Sequence, residues 1–204
     1  MLMERPVRFD AGDVSLEGLL FQGDGRRAAV ICHPHPLYGG DMHNTVVQTV
    51  AQVYQQMGWA SLRFNFRGTG DSDGAYDNGM GEREDVAGAI RWLQTRGFSQ
   101  IDLVGYSFGA WVLAGWVQTH KAHGFRIVLV APPVGFMDFS DIPAIEGLDT
   151  VIVGDRDDFA PAGQVKARMA QWCPAAGLHV IDRADHFFGG QLDKLSRILV
   201  QVLH

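Results

Sequence analysis

The sequence predicts one α/β domain over residues 1–204, built on a mostly parallel sheet with helices on both faces. Three observations predict it. Six short apolar runs have the length and β-branching of buried strands, helical spacing fills most of the gaps between them, and an alternating stretch precedes the series. Alternation of strand and helix buries a parallel sheet between two helical layers.

The elements follow in order. Val7, Phe9, Val14, Leu16, Leu19 and Leu20 flank Asp10-Ala11-Gly12-Asp13 and read as an antiparallel hairpin. Strand-like runs then fall at 28–32, 60–64, 101–104, 126–130, 151–153 and 178–181, the first five as central parallel strands and the sixth as their last neighbour. Helical spacing joins Val46, Val50, Tyr54 and Met57; then Val86, Ala89, Ile90 and Leu93; then Trp111, Ala114 and Val117. Two more helices run through Val165, Met169 and Trp172, and through Leu192, Leu195, Leu199 and Val202. The 19 residues from Pro132 to Thr150 have room for a turn or a short helix but not for a cap domain. Ligands of such sheets bind at the carboxyl ends of the strands, so the loops that follow each strand carry the functional question.

Composition narrows the classes. With 47% hydrophobic and 20% charged residues the chain is globular, and disorder is excluded. A net charge of -6 without a basic run offers nothing to a phosphate backbone or an anionic membrane, so neither nucleic acid nor membrane is an expected partner. Cys32 and Cys173 lack C-x-x-C spacing and read as small buried hydrophobes. No secretory h-region and no membrane-length apolar run is present, which makes the expectation a cytoplasmic monomer or homodimer acting on a small molecule.

The run at 101–104 leads into Gly105-Tyr106-Ser107-Phe108-Gly109 and then a helical pattern. This is G-x-S-x-G between strand and helix, the turn that lifts a serine hydroxyl above a sheet edge. Glycines at 105 and 109 are expected to relieve crowding at that serine. A hydroxyl needs a base, and the base needs a group that holds its tautomer. His186, in Asp185-His186-Phe187-Phe188, follows the last strand at the same edge and is the expected base, whereas His120, His123, His179 and His204 sit within or at the far ends of elements. For the third group Asp155, Asp157 and Asp158 compete in the loop after 151–153.

Developing oxyanion charge needs two N–H donors. One is the amide after the nucleophile, Phe108, and the other comes from the loop His33-Pro34-His35-Pro36-Leu37-Tyr38-Gly39-Gly40. Pro34 and Pro36 have no N–H, which leaves His35 and Leu37. An H-x-H metal site with Asp41 or His43 is the lesser reading of this loop, and no metal is expected. The stretch Arg67-Gly68-Thr69-Gly70-Asp71-Ser72-Asp73-Gly74 fails as a dinucleotide fingerprint because Asp73 stands where the third glycine belongs.

The chain order serine, acid, histidine resembles that of the α/β-hydrolase superfamily. The resemblance covers essentially the whole chain, and the His-Pro-His-Pro-Leu-Tyr-Gly-Gly loop with Asp-His-Phe-Phe is most similar to small, lidless bacterial serine hydrolases of the dienelactone hydrolase-like and esterase group. Dienelactone hydrolases proper use cysteine where this chain has Ser107. The resemblance implies an α/β-hydrolase fold without a cap, and its G-x-x-D-x-x-x-P pattern between Gly154 and Pro161 places the acid at Asp157. It also implies His35 as the second oxyanion donor, and a scaffold role for Arg67. The implied activity is hydrolysis of short-chain carboxylic esters through an acyl-enzyme, with no cofactor. Alternatives are a thioesterase, peptidase or acyltransferase using the same groups, or a non-catalytic binding module. Expected pocket residues are Leu37, Tyr38 and Phe187, with Tyr76, Phe108, Val134, Phe136, Phe159 and Phe188 as further loop candidates.

Overall fold

The computed structural model describes residues 3–120 and 123–204. The hairpin forms as expected: β1 (Arg5–Ala11) and β2 (Val14–Phe21) pair antiparallel from Arg5↔Leu20 to Ala11↔Val14. Alternation along β2 buries Val14, Leu16 and Leu20 and leaves their neighbours half-exposed, which is the period of a strand with one wet face. Then come β3 (Arg27–Cys32), α1 (Thr45–Gln56), β4 (Ala60–Phe64), α2 (Met80–Thr95), β5 (Gln100–Tyr106), α3 (Phe108–Thr119) and β6 (Arg126–Val130). The chain closes with β7 (Leu148–Gly154), α4 (Ala162–Trp172), β8 (Gly177–Ile181) and α5 (Leu192–Leu203).

The eight strands lie in the order β1-β2-β4-β3-β5-β6-β7-β8, antiparallel up to the β2–β4 pair and parallel beyond it. From β3 the chain moves one way to β4, then crosses back over β3 to β5 and continues in that direction. Right-handed crossovers therefore put α1 on one face and α2, α3 and α4 on the other. Packing agrees, since α1 contacts α5 and α2 contacts α3. In α5 the leucines 195, 199 and 203 recur every fourth residue and are buried, at about 1.5–3 kcal/mol each. Helix α3 is apolar all round and is buried from Phe108 to Val117 except at Trp111, because α2 covers the side that β3 and β5 do not.

The reversal of direction between β3 and β5 is the switch point, where two strand-end loops diverge and leave a crevice. The connection 131–147 from β6 to β7 holds turns and no helix or strand, so no cap lies over that edge. Among the described residues no helix is long and apolar enough to cross a membrane.

Candidate active site

Ser107 sits between β5 and α3 with φ 54° and ψ -116°, a conformation that costs a non-glycine residue about 1–3 kcal/mol. Surrounding hydrogen bonds hold it there: its N–H donates to the Val130 carbonyl at 2.9 Å, and its own carbonyl accepts from Ala110 at 2.9 Å and Trp111 at 3.2 Å. The flanking glycines serve a different contact from the one expected. A Cβ on Gly109 would stand 2.4 Å from the Cys32 carbonyl oxygen of β3, and one on Gly105 would stand 2.5 Å from the Gly109 oxygen. The turn needs glycine because the helix start presses on backbone, not because the serine side chain is crowded.

The Ser107 Oγ lies 2.9 Å from His186 Nε2, and His186 Nδ1 lies 3.0 and 2.9 Å from the two Asp157 oxygens. All three side chains are buried. Asp157 Oδ1 also accepts the Phe159 and Ala160 amides, at 2.9 and 2.7 Å, so the carboxylate is fixed in rotation as well as position. Asp155 and Asp158 point to solvent. The acid and histidine loops are tied to each other by the Asp155 amide on the Ile181 carbonyl and the Arg156 amide on that of Ala184, an approach so close that a Cβ on Gly154 would be 2.1 Å from the Ala184 oxygen.

In the loop after β3, Pro36–Tyr38 forms one 3-10 turn, capped by the His35 ring: the Leu37 N–H donates to His35 Nδ1 at 3.3 Å. That bond occupies one of the two candidate amides. Among the described residues the Phe108 and His35 N–H groups have no acceptor, and both residues line the same cavity. The His35 ring packs on Tyr38, Tyr76 and Phe108, and burial lowers its pKa. His33 is wholly buried, its Nδ1–H donating to the Pro34 carbonyl at 2.6 Å and its Nε2 accepting the Phe66 amide at 3.0 Å. Burial holds its pKa down at about 4 against pulls from that carbonyl and from Asp41, so it is neutral, with both nitrogens committed and none free for a metal. Cys32 is fully buried behind Gly109, and burial pushes its thiol well up; Cys173 is half-buried. Arg67 reaches no cavity wall: its guanidinium and its amide all bind buried Asp85.

The cavity over Ser107 has a volume of about 400 Å³. Tyr38, Gly39, Gly40 and Asn44 form the wall from the loop after β3, Pro133, Phe136 and Met137 the wall from the β6–β7 connection, and Phe159 and Phe187 the side next to His186. No lining residue is charged.

Residues 22–142, more than half of the chain, match the X-Pro dipeptidyl-peptidase (S15 family); this segment includes Ser107 and stops short of Asp157 and His186. An α/β serine hydrolase homologue from Coxiella burnetii is 35% identical, the match covering 100% of this chain and 99% of that one with a TM-score of 0.89. The chain belongs to the α/β serine hydrolases. A lidless serine hydrolase from Xanthomonas campestris is 28% identical at TM-score 0.88, covering 100% and 94% of the two chains. An uncharacterised protein of Rickettsia prowazekii is 31% identical over 205 residues, 95% of this chain and 86% of its own length.

Several pocket expectations need correction in this hydrolase. Leu37 is 66% exposed and does not line the cavity, whereas the next residue of the 3-10 turn, Tyr38, lines it from the rim. Phe188 is fully buried against Tyr106, Val134 borders a separate surface groove, and Tyr76 stands behind the His35 ring. Tyr38, Phe108, Phe136, Phe159 and Phe187 do line the hydrolase's cavity. Sequence reasoning missed Pro133, Met137 and Asn44, although the strand-end rule applies to the connection after β6 as well. It also missed Tyr106, whose hydroxyl donates to the His186 carbonyl at 3.0 Å and anchors the histidine loop to β5. Burial, then the Asp157 and Asp185 charges, push that phenol's pKa up, so it stays a donor.

Proposed function

We propose that the protein is a carboxylesterase for small or short-chain acyl esters, working through an acyl-enzyme on Ser107. The observation that carries the proposal is the continuous Asp157–His186–Ser107 hydrogen-bond chain opening onto an uncharged cavity of about 400 Å³. A volume of that order suits a small ligand.

In this reading His186 Nε2 takes the Ser107 proton as Oγ attacks the acyl carbonyl, and Asp157 holds the Nδ1–H and stabilises the imidazolium. The Phe108 and His35 amides bind the tetrahedral oxygen, with the N-terminus of α3 adding its partial positive charge. His186 then protonates the departing alcohol oxygen. Water attacks the acyl-enzyme, gives its proton to His186, and the acid leaves as Ser107 regains a proton. The S15 family name suggests cleavage after an N-terminal X-Pro dipeptide, whose ammonium would lie in the cavity. An uncharged aromatic lining favours a neutral acyl group over that ammonium, which would lose its hydration without gaining a carboxylate partner.

Fluorophosphonate labelling read by peptide mass spectrometry tests the nucleophile. One adduct is expected on Ser107, absent in Ser107→Ala and His186→Ala; a native protein that gains none overturns the proposal. A panel of p-nitrophenyl acetate, butyrate and octanoate beside Ala-Pro-p-nitroanilide tests the substrate class. The esters are expected to lead, and preference for the anilide would replace the esterase reading with a peptidase one.

A further inference from the structure

The protein has twelve phenylalanines, and the only ones exposed among the described residues are Phe136 at 54%, Phe159 at 38% and Phe187 at 63%. All three line the cavity over Ser107, Phe159 and Phe187 next to His186 and Phe136 on the adjoining wall, where it also meets Tyr38 at 6.1 Å between centroids. They arrive from three different loops and meet edge to face: Phe136 and Phe159 have centroids 5.5 Å apart at 83°, Phe159 and Phe187 6.5 Å apart at 74°. The other phenylalanines are buried or half-buried, so three exposed rings in mutual contact at the mouth are a feature for a ligand to use.

The position of His186 says which part of the ligand. Acylation forms the bond from Ser107 Oγ to the acyl carbon and breaks the bond from that carbon to the ester oxygen. The proton taken from Ser107 passes through His186 to the departing oxygen, so the alcohol portion must lie beside the imidazole. Two of the exposed rings flank that imidazole, Phe159 at 4.8 Å and Phe187 at 5.6 Å between centroids. Resting on the esterase reading, we infer that Phe159, Phe187 and Phe136 form the subsite for the alcohol, and that the enzyme selects esters of aryl or comparably flat apolar alcohols. Edge-to-face rings present both faces and edges, the arrangement that aromatic partners prefer. Selectivity thus resides in the group that leaves first, while the acyl group remaining on Ser107 faces the other walls.

The test compares 2-naphthyl butyrate with ethyl butyrate on the wild type, Phe187→Ala and Phe136→Ala. Both esters yield the same butyryl-enzyme, so stopped-flow separates acylation from a shared deacylation. Phe187→Ala is expected to lower kcat/KM about tenfold on the naphthyl ester and less than about threefold on the ethyl ester, with Phe136→Ala acting in the same direction. Equal losses on both esters would make the rings a cover for the histidine and overturn the inference. Slower hydrolysis of the shared butyryl-enzyme would assign them to the acyl side and overturn it too. Failure of the wild type to turn over either ester would instead overturn the esterase reading on which the inference rests.

Discussion

Replacing Asp157 by Asn changes one atom and tests the proposed chemistry where its geometry is most constrained. Asp157 Oδ1 accepts two backbone N–H groups, from Phe159 and Ala160. Those are donors only, so the asparagine must keep its carbonyl oxygen there and turn its NH2 toward His186 Nδ1. His186 Nδ1 then faces that NH2 at the nearer position, 2.9 Å, with the retained oxygen at 3.0 Å; accepting from the NH2 moves the ring proton to Nε2, the nitrogen that faces Ser107 Oγ at 2.9 Å. The base would hold a proton where it needs a lone pair. Loss of the correct tautomer is worth about 10⁴ in kcat, or roughly 5–6 kcal/mol of transition-state stabilisation. Folding should change little, because both backbone bonds survive. The assay is p-nitrophenyl butyrate turnover normalised to correctly folded protein by thermal melt, with Asp155→Asn as the solvent-exposed control. An Asp157→Asn enzyme within tenfold of wild type, or an Asp155→Asn enzyme that is dead, would refute the assignment.

Two further outcomes concern the scaffold. Gly109→Ala should destabilise by about 1–3 kcal/mol in urea unfolding, since its methyl would meet the Cys32 carbonyl at 2.4 Å and push α3 off β3; an unchanged midpoint would contradict the contact. His33 has a folded pKa of about 4 against the ordinary 6.5, so between those values the unfolded chain binds a proton that the folded one does not. Stability linked to its neutral form is complete above about pH 6.5 and is lost as pH falls toward 4, the loss being on the order of 2–3 kcal/mol by about pH 4.5. Urea unfolding at pH 7 and 4.5 should show His33→Asn with a shallower pH slope than wild type, and equal slopes would remove His33 as the source.

Where a reading rested on a repeating pattern, it survived folding. Period-2 alternation placed the hairpin, 3.6-residue spacing placed five helices, and apolar β-branched runs placed the parallel strands, because each element's buried face is written at regular intervals along the chain. The loops have no period. Leu37 and Tyr38 are adjacent in one 3-10 turn, yet only Tyr38 lines the cavity. Phe187 and Phe188 separate in the same way, one 63% exposed and the other packed under Tyr106.

The sequence by itself determined the order of elements, the strand-to-helix turn that carries Ser107, and the edge of the sheet at which every functional loop must lie. These follow from local pattern and from the parallel run of the strands, which brings their carboxyl ends to one edge. The residues alone left three aspartates and two amides open, and only a family resemblance favoured Asp157 and His35; the tertiary structure shows which aspartate turns inward to His186, which amide is left unbonded, and which rings surround the imidazole. Each of those depends on hydrogen bonds and packing between segments far apart in the chain, such as Tyr106 on His186 and Gly154 against Ala184, whose meeting no local spacing records.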